Sequence, residues 1–146
     1  MLRWLWLAAL VLVIDQATKI WAEATLVFGQ PVELLSWFNF TLAYNRGAAF
    51  SFLADAGGWQ RYFFLVIGTV AVIVIVAWLR RLREHERVTA AGLALILGGA
   101  VGNIVDRAMH GHVVDFIDWH YGGWHWPAFN LADSAIMLGA TLVILA

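Results

Sequence analysis

Residues 62–79, YFFLVIGTVAVIVIVAWL, contain no charged side chain, and arginines stand at both ends of the stretch. Coiled as an α-helix it rises about 27 Å, close to the hydrocarbon thickness of a bilayer, and a small soluble domain has no interior able to hide it. Similar stretches run from Trp4 to Ala24, from Val88 to Arg107 and from Ala128 to Ala146. In hydrocarbon, backbone polar groups must be satisfied within the segment, which helices do and lone strands cannot. The expected fold class is therefore an all-α membrane protein with four transmembrane helices, one domain over residues 1–146. The composition agrees, being 62% hydrophobic and 13% charged.

Arg80, Arg81, Arg83 and Arg87 crowd the short connection between the second and third stretches. The positive-inside bias assigns that connection, and with it both termini, to the cytoplasm. The other two connections, residues 25–61 and 108–127, then lie outside and hold Trp37, Trp59, Trp119, Trp124 and Trp126, which suit the headgroup zone. Within them FNFTLAYN alternates apolar and polar residues and predicts short strands, followed by an interfacial stretch around residues 50–53. The first span begins like a secretory signal, with Arg3 before an apolar run and Ala22-Glu23-Ala24 imitating a cleavage site. Asp15 and Lys19 interrupt that run, so a retained span is expected.

Several chemistries are disfavoured. The net charge is −1 and no long basic block exists, so nucleic acid is not an expected partner. Cysteine is absent, which removes thiolate nucleophiles, thiolate metal sites and disulfides. His110, His112, His120 and His125 fall in a Trp- and Gly-rich connection without helical i, i+4 spacing, and HERVT at 85–89 lacks the second histidine of a zinc helix, so no metal is expected. No G-x-S-x-G frames Ser36, Ser51 or Ser134.

Paired carboxylates remain. Asp15 and Lys19 sit one turn apart in the outer half of the first span; Asn103, Asp106 and Arg107 share a face at the outer end of the third; Asn130 and Asp133 share one at the start of the fourth. Three helices thus offer polar groups at one depth. Asp115, in VVDF, can be folded back against them by its apolar neighbours. Asp15 with Lys19, and Asp106 with Arg107, read first as structural ion pairs, and Asn103 and Asn130 as hydrogen-bonding glue between helices. Asp133 has no basic neighbour in sequence and is the stronger functional candidate. Glu23, Glu33, Asp55 and Asp118 read as wet loop. Two aspartates sharing one proton can activate water and protonate a carbonyl or a leaving amine, the chemistry of aspartic peptidases. Residue types alone leave the pair open among Asp106, Asp115 and Asp133. A proton or ion path should cross the membrane, whereas the inner halves of the spans are almost free of ionisable groups, which disfavours a transporter.

DQATK (15–19), YNRGAAFS (44–51), GNIVDR (102–107), GHVVDF (111–116) and FNLADS (129–134), in this order, resemble the lipoprotein signal peptidase family, also called signal peptidase II. The resemblance covers nearly the whole chain. It implies four transmembrane helices with a small extracytoplasmic β-cradle, and an intramembrane aspartic peptidase of the bacterial inner membrane. Such an enzyme cleaves the signal peptide of a diacylglyceryl-modified prolipoprotein just before the lipidated cysteine, with its site on the outer side. It implies Asp115 and Asp133 as the catalytic dyad. Asp15, Lys19, Asn45, Asn103, Asp106, Arg107 and Asn130 become a polar shell that supports the dyad and contacts substrate. The expected partners are lipidated prolipoprotein and membrane lipid; neither cofactor nor oligomer is expected.

Overall fold

A computed structural model describes residues 1–47 and 57–146. The interfacial stretch expected at 50–53, and Asp55, lie outside the described residues. Among these residues are four α-helices, α1 (Leu5–Thr25), α2 (Gln60–Arg81), α3 (Arg87–His110) and α4 (Leu131–Leu145), and four strands, β1 (Val32–Leu35), β2 (Phe38–Asn45), β3 (Val113–Tyr121) and β4 (Trp124–His125). A short 3₁₀ turn, Leu2–Trp4, leads into α1. The protein is mostly helical with one small antiparallel sheet. Among the described residues, three helices are long and apolar enough to cross a membrane, and α4, with 15 residues, is shorter than the 128–146 stretch anticipated from hydropathy.

The helices present their apolar surface outward. In α2 only Gln60, Ile75 and Leu79 are buried, and Val66, Val70, Ile73 and Val74 are exposed, which is stable only where lipid takes the place of water.

Helix α3 is the centre of the bundle because its glycines remove side chains where neighbours must approach. A Cβ at Gly98 would strike the Ala8 carbonyl of α1, one at Gly99 the Ala132 carbonyl of α4, and Gly92 and Gly139 back onto each other's carbonyls. Without a hydrophobic driving force in lipid, such close backbone contact supplies the packing. At the end of the bundle away from the sheet, Ala8, Ile75, Leu79, Ala90, Leu93, Ala94 and Leu97 complete an apolar core.

At the opposite end the sheet runs β1-β2-β3-β4 in space, all antiparallel. Ala22 and Leu26 at the end of α1 carry it through Leu42, Val114, Phe116 and Ile117. Trp21 meets Phe40 and Phe116 edge-on, with ring centres 5.1 and 6.3 Å apart. Because residues 113–118 are buried on both faces, β3 shows no polar and apolar alternation, and only β2 was legible as a strand beforehand. Asp118 lies within that buried run, bonded to Asn39 Nδ2 (3.3 Å) and His125 Nδ1 (2.9 Å), and is not a wet-loop residue.

Candidate active site

Three local devices bring the polar residues at the sheet end of the bundle together. Gly111, left-handed at φ 76°, ends α3 and turns the chain directly into β3. A bulge in β2 between Phe40 and Ala43 shifts the register, so that Ala43 stands opposite Asp115, the kind of kink that re-aims a side chain. Phe129 is then clamped to β3: the N–H groups of Phe116 (3.1 Å) and Ile117 (3.0 Å) donate to its carbonyl, and its own N–H donates to Ile117 (3.1 Å). That clamp holds residue 129 extended and delays α4 to Leu131, which explains why the helix starts three residues later than expected.

Asn130 is the N-cap of α4. Its Oδ1 accepts the N–H of Asp133 at 2.9 Å, and Asp133 Oδ2 accepts the N–H of Asn130 at 3.3 Å, a reciprocal capping box. The Asn130 side chain also donates to Asp115 Oδ1 at 2.9 Å and to the Val114 carbonyl at 3.2 Å. One residue therefore starts the helix that carries Asp133 and ties it to the strand that carries Asp115. Asn103 Nδ2 donates to Asp133 Oδ1 at 3.0 Å, while Asn103 Oδ1 accepts from Lys19 (3.1 Å) and Asn130 (3.3 Å).

Beneath this pair lies an ion cluster. Lys19 Nζ contacts Asp15 Oδ2 at 2.8 Å and Asp106 Oδ2 at 3.0 Å, and all three residues are almost wholly buried. Asp15 Oδ1 accepts the N–H of Ala132 at 2.9 Å, satisfying a free donor in the first turn of α4. Gly102 leaves room for that carboxylate, since a Cβ there would overlap it. Asp106 Oδ2 accepts the N–H of Val114 at 3.0 Å, and Gln16 Nε2 reaches Asp15, Asp106 and the Gly102 carbonyl at 3.1–3.2 Å. The Asp106 with Arg107 pair anticipated from their adjacency does not form. Adjacent helical residues diverge by about 100°, so Asp106 turns to Lys19, while Arg107 Nη2 donates to the Gly47 carbonyl at 2.6 Å and its guanidinium lies 4.9 Å from the centre of the Phe64 ring.

A cavity of about 680 Å³ opens beside these residues. Asp115, Asp133, Asn45, Asn103 and Arg107 face it from one side, and Trp119, Trp126, Phe129, Ile136 and Met137 form an apolar wall. Asp15, Lys19 and Asp106 do not line it. Burial, followed by the negative charge of Asp133, pushes the Asp115 carboxyl up to about 8; Lys19, the Asn130 hydrogen bond and Arg107 pull the other way. The histidines lie elsewhere: His120 and His125 stack across β3 and β4 with ring centres 5.1 Å apart, and His110 stacks on His112 at 5.7 Å. Among the described residues no three His, Asp or Glu side chains form a group able to hold a metal ion.

Of the residues singled out in the sequence, all nine fall in or directly under this site. Sequence reasoning does not single out Gln16 and Gly102, although they lie inside DQATK and GNIVDR. Their signal is positional: Gln16 adjoins Asp15, and Gly102 lies four residues before Asp106 on α3.

The family described as Signal peptidase (SPase) II matches residues 7–146. A lipoprotein signal peptidase of Janthinobacterium sp. (strain Marseille) is 54% identical over 144 residues, 99% of this chain and 87% of that one. One from Burkholderia thailandensis (strain E264) is 55% identical over 141 residues, 97% of this chain and 84% of its own. Among solved structures, a bacterial membrane enzyme determined by the in meso method at 2.3 Å superposes with a TM-score of 0.88 at 32% identity, covering 98% of this chain and 85% of that one.

Proposed function

Since the chain belongs to the lipoprotein signal peptidase (signal peptidase II) family, a family of bacterial transmembrane proteases that process lipoproteins, we propose that it cleaves by an aspartic mechanism in which Asp115 and Asp133 share one proton. The observation that carries this reading is the position of both carboxylates on one cavity, each held by an asparagine and, among the described residues, neither in an ion pair. Asp115, raised to about 8, keeps the proton at neutral pH, and Asp133 acts as the base. Asp133 takes a proton from water, and the resulting hydroxide attacks the scissile carbonyl carbon while Asp115 protonates the carbonyl oxygen. In the second half the hydrated intermediate returns a proton to Asp115, Asp133 passes its proton to the amide nitrogen, and the C–N bond breaks. The products are a carboxylic acid and an amine, and the dyad is restored.

Asp15, Lys19 and Asp106 hold α1, α3 and α4 in register, Asn103 and Asn130 fix the carboxylate orientations, and Asn45 and Arg107 offer polar contacts to the substrate backbone. The apolar wall suits the acyl chains of a diacylglyceryl-modified precursor, whose anchorage in lipid lowers the entropy cost of positioning the scissile bond. We read α4 as the fourth span of the inner membrane. The sheet then forms an outer cradle, and the arginine-rich 80–87 turn and both termini face the cytoplasm.

The reading is tested by incubating purified protein with lipidated and unlipidated precursor. Cleavage of the lipidated form alone, before its cysteine, is expected, and cleavage of neither would overturn it. Reporter fusions after residue 84 should read cytoplasmic and those near Gly122 external; the reverse puts the carboxylates on the wrong side.

A further inference from the structure

The turn between α2 and α3 carries a positive charge that its own acids leave uncompensated. Arg80, Arg81, Arg83 and Arg87 are all exposed. Glu84 is paired with Arg3 at 2.8 Å, and Glu86 Oε2 accepts the backbone N–H of Arg83 at 2.6 Å. Among the described residues, none of the four guanidiniums has a carboxylate partner. Complementing the C-terminal dipole of α2 accounts for Arg80 and Arg81 at most.

Beside them, Val74, Ala77, Trp78 and Arg81 follow at i, i+3, i+4 and i+7 along one face of α2 and line a shallow groove of about 360 Å³. Ile75 and Leu79 turn into the core, whereas Val74 and Trp78 are about half exposed. The groove is thus an apolar track that ends in a tryptophan and a cation, at the end of a membrane helix. An acyl chain fits the track, and the headgroup that complements its end is anionic.

We propose that this face of α2 seats an anionic phospholipid of the leaflet that meets the 80–87 turn. One acyl chain lies along Val74, Ala77 and Trp78, the phosphate sits against Arg81, and Arg80 and Arg83 add attraction at longer range. Near a membrane surface each such guanidinium contributes about fivefold in affinity for an anionic lipid. The proposal rests on the chain being a transmembrane protein and is independent of the peptidase mechanism.

The test is native mass spectrometry of the full chain in detergent, titrated with phosphatidylglycerol or phosphatidylcholine, counting bound lipids and copies of the chain. Phosphatidylglycerol should bind about tenfold more tightly than phosphatidylcholine. Arg81→Gln should lower its affinity about fivefold, Arg81→Lys should retain most of it, and Trp78→Ala should weaken both lipids. Equal retention of the two lipids by the parent, or unchanged preference in Arg81→Gln, would overturn the proposal, leaving the arginines as topology signals alone. A dimer that Trp78→Ala abolishes would overturn it too, by assigning the groove to a second copy. Arg81→Gln should cleave lipidated precursor at the parent rate. Failure of the parent itself to cleave would strike the peptidase reading and leave the lipid seat standing.

Discussion

Asp106 and Asp115 are each 3% exposed, lie in adjoining elements and end within one polar cluster, yet their surroundings are opposite. Asp106 has both oxygens engaged, by the Lys19 ammonium, the Val114 N–H and Gln16. Asp115 accepts a side-chain hydrogen bond from Asn130 and otherwise faces a cavity. Buried carboxylates are stable when charge and lone pairs are both satisfied, and such a group has no capacity left for a substrate. A carboxylate with unspent capacity and a raised pKa is poised to exchange protons. Burial alone therefore does not mark the reactive aspartate; the partners that remain unfilled do.

The largest expected effect sharpens that contrast on the reactive side. Asp133→Asn should lower cleavage of lipidated precursor by about 10⁴-fold, and adding Asp115→Asn should make little further difference, because parts of one device are not additive. Turnover measured on both variants checks this, and losses that multiply would show two independent groups. On the saturated side, Lys19→Met leaves Asp15 and Asp106 buried without their cation and should cost about 3–5 kcal/mol, read as a fall in the thermal midpoint in detergent. An unmoved midpoint would break the comparison, since the cluster would then not be structural.

A smaller effect concerns pH. The folded Asp115 carboxyl titrates at about 8 against 3.8 in the unfolded chain, so between those values the native state holds more protons. Its contribution to stability therefore declines as pH rises through that window. Cleavage should fall as pH rises past about 8, because the proton destined for the carbonyl oxygen is lost. In Asp133→Asn the midpoint of the Asp115 carboxyl infrared band should move down, since a repelling charge has gone; a midpoint that stays put would remove the coupling. The smallest effect is expected at Asp118→Asn. Its partner His125 is about half exposed, so the lost pair should cost at most about 1 kcal/mol and leave turnover within about twofold.

Much of this contrast was legible beforehand because hydropathy and depth are written locally. The helices, strand β2 and the gathering of polar residues at one end of the bundle follow from apolar run length, alternation and helical spacing. What could not be read depends on contacts across the chain. Residues 113–118 of β3 are buried on both faces and give no period, the Phe129 clamp joins residues from different elements, and the bulge in β2 has no residue signature. The choice of Lys19 over Arg107 as the partner of Asp106 likewise comes from how α1 lies on α3, which Gly98 and Gly102 set by close approach. Residue chemistry left the dyad open among Asp106, Asp115 and Asp133; the cavity lining, which includes the last two and not the first, supports the narrower choice that resemblance had implied.

The central claim is that Asp106 holds the site together and Asp115 works in it, and a crossed pair of substitutions tests it most directly. Turnover and thermal midpoint should be measured together, near neutral pH, on Asp106→Asn and Asp115→Asn. Asp115 is protonated under these conditions and asparagine is nearly its isostere, so Asp115→Asn should keep the parent midpoint and lose almost all cleavage. Asp106→Asn should unfold at a clearly lower temperature, with about 3 kcal/mol lost, and retain measurable cleavage while folded. A well-folded Asp106→Asn with no cleavage, beside an Asp115→Asn that turns over normally, would contradict the account and make Asp106 the partner of Asp133.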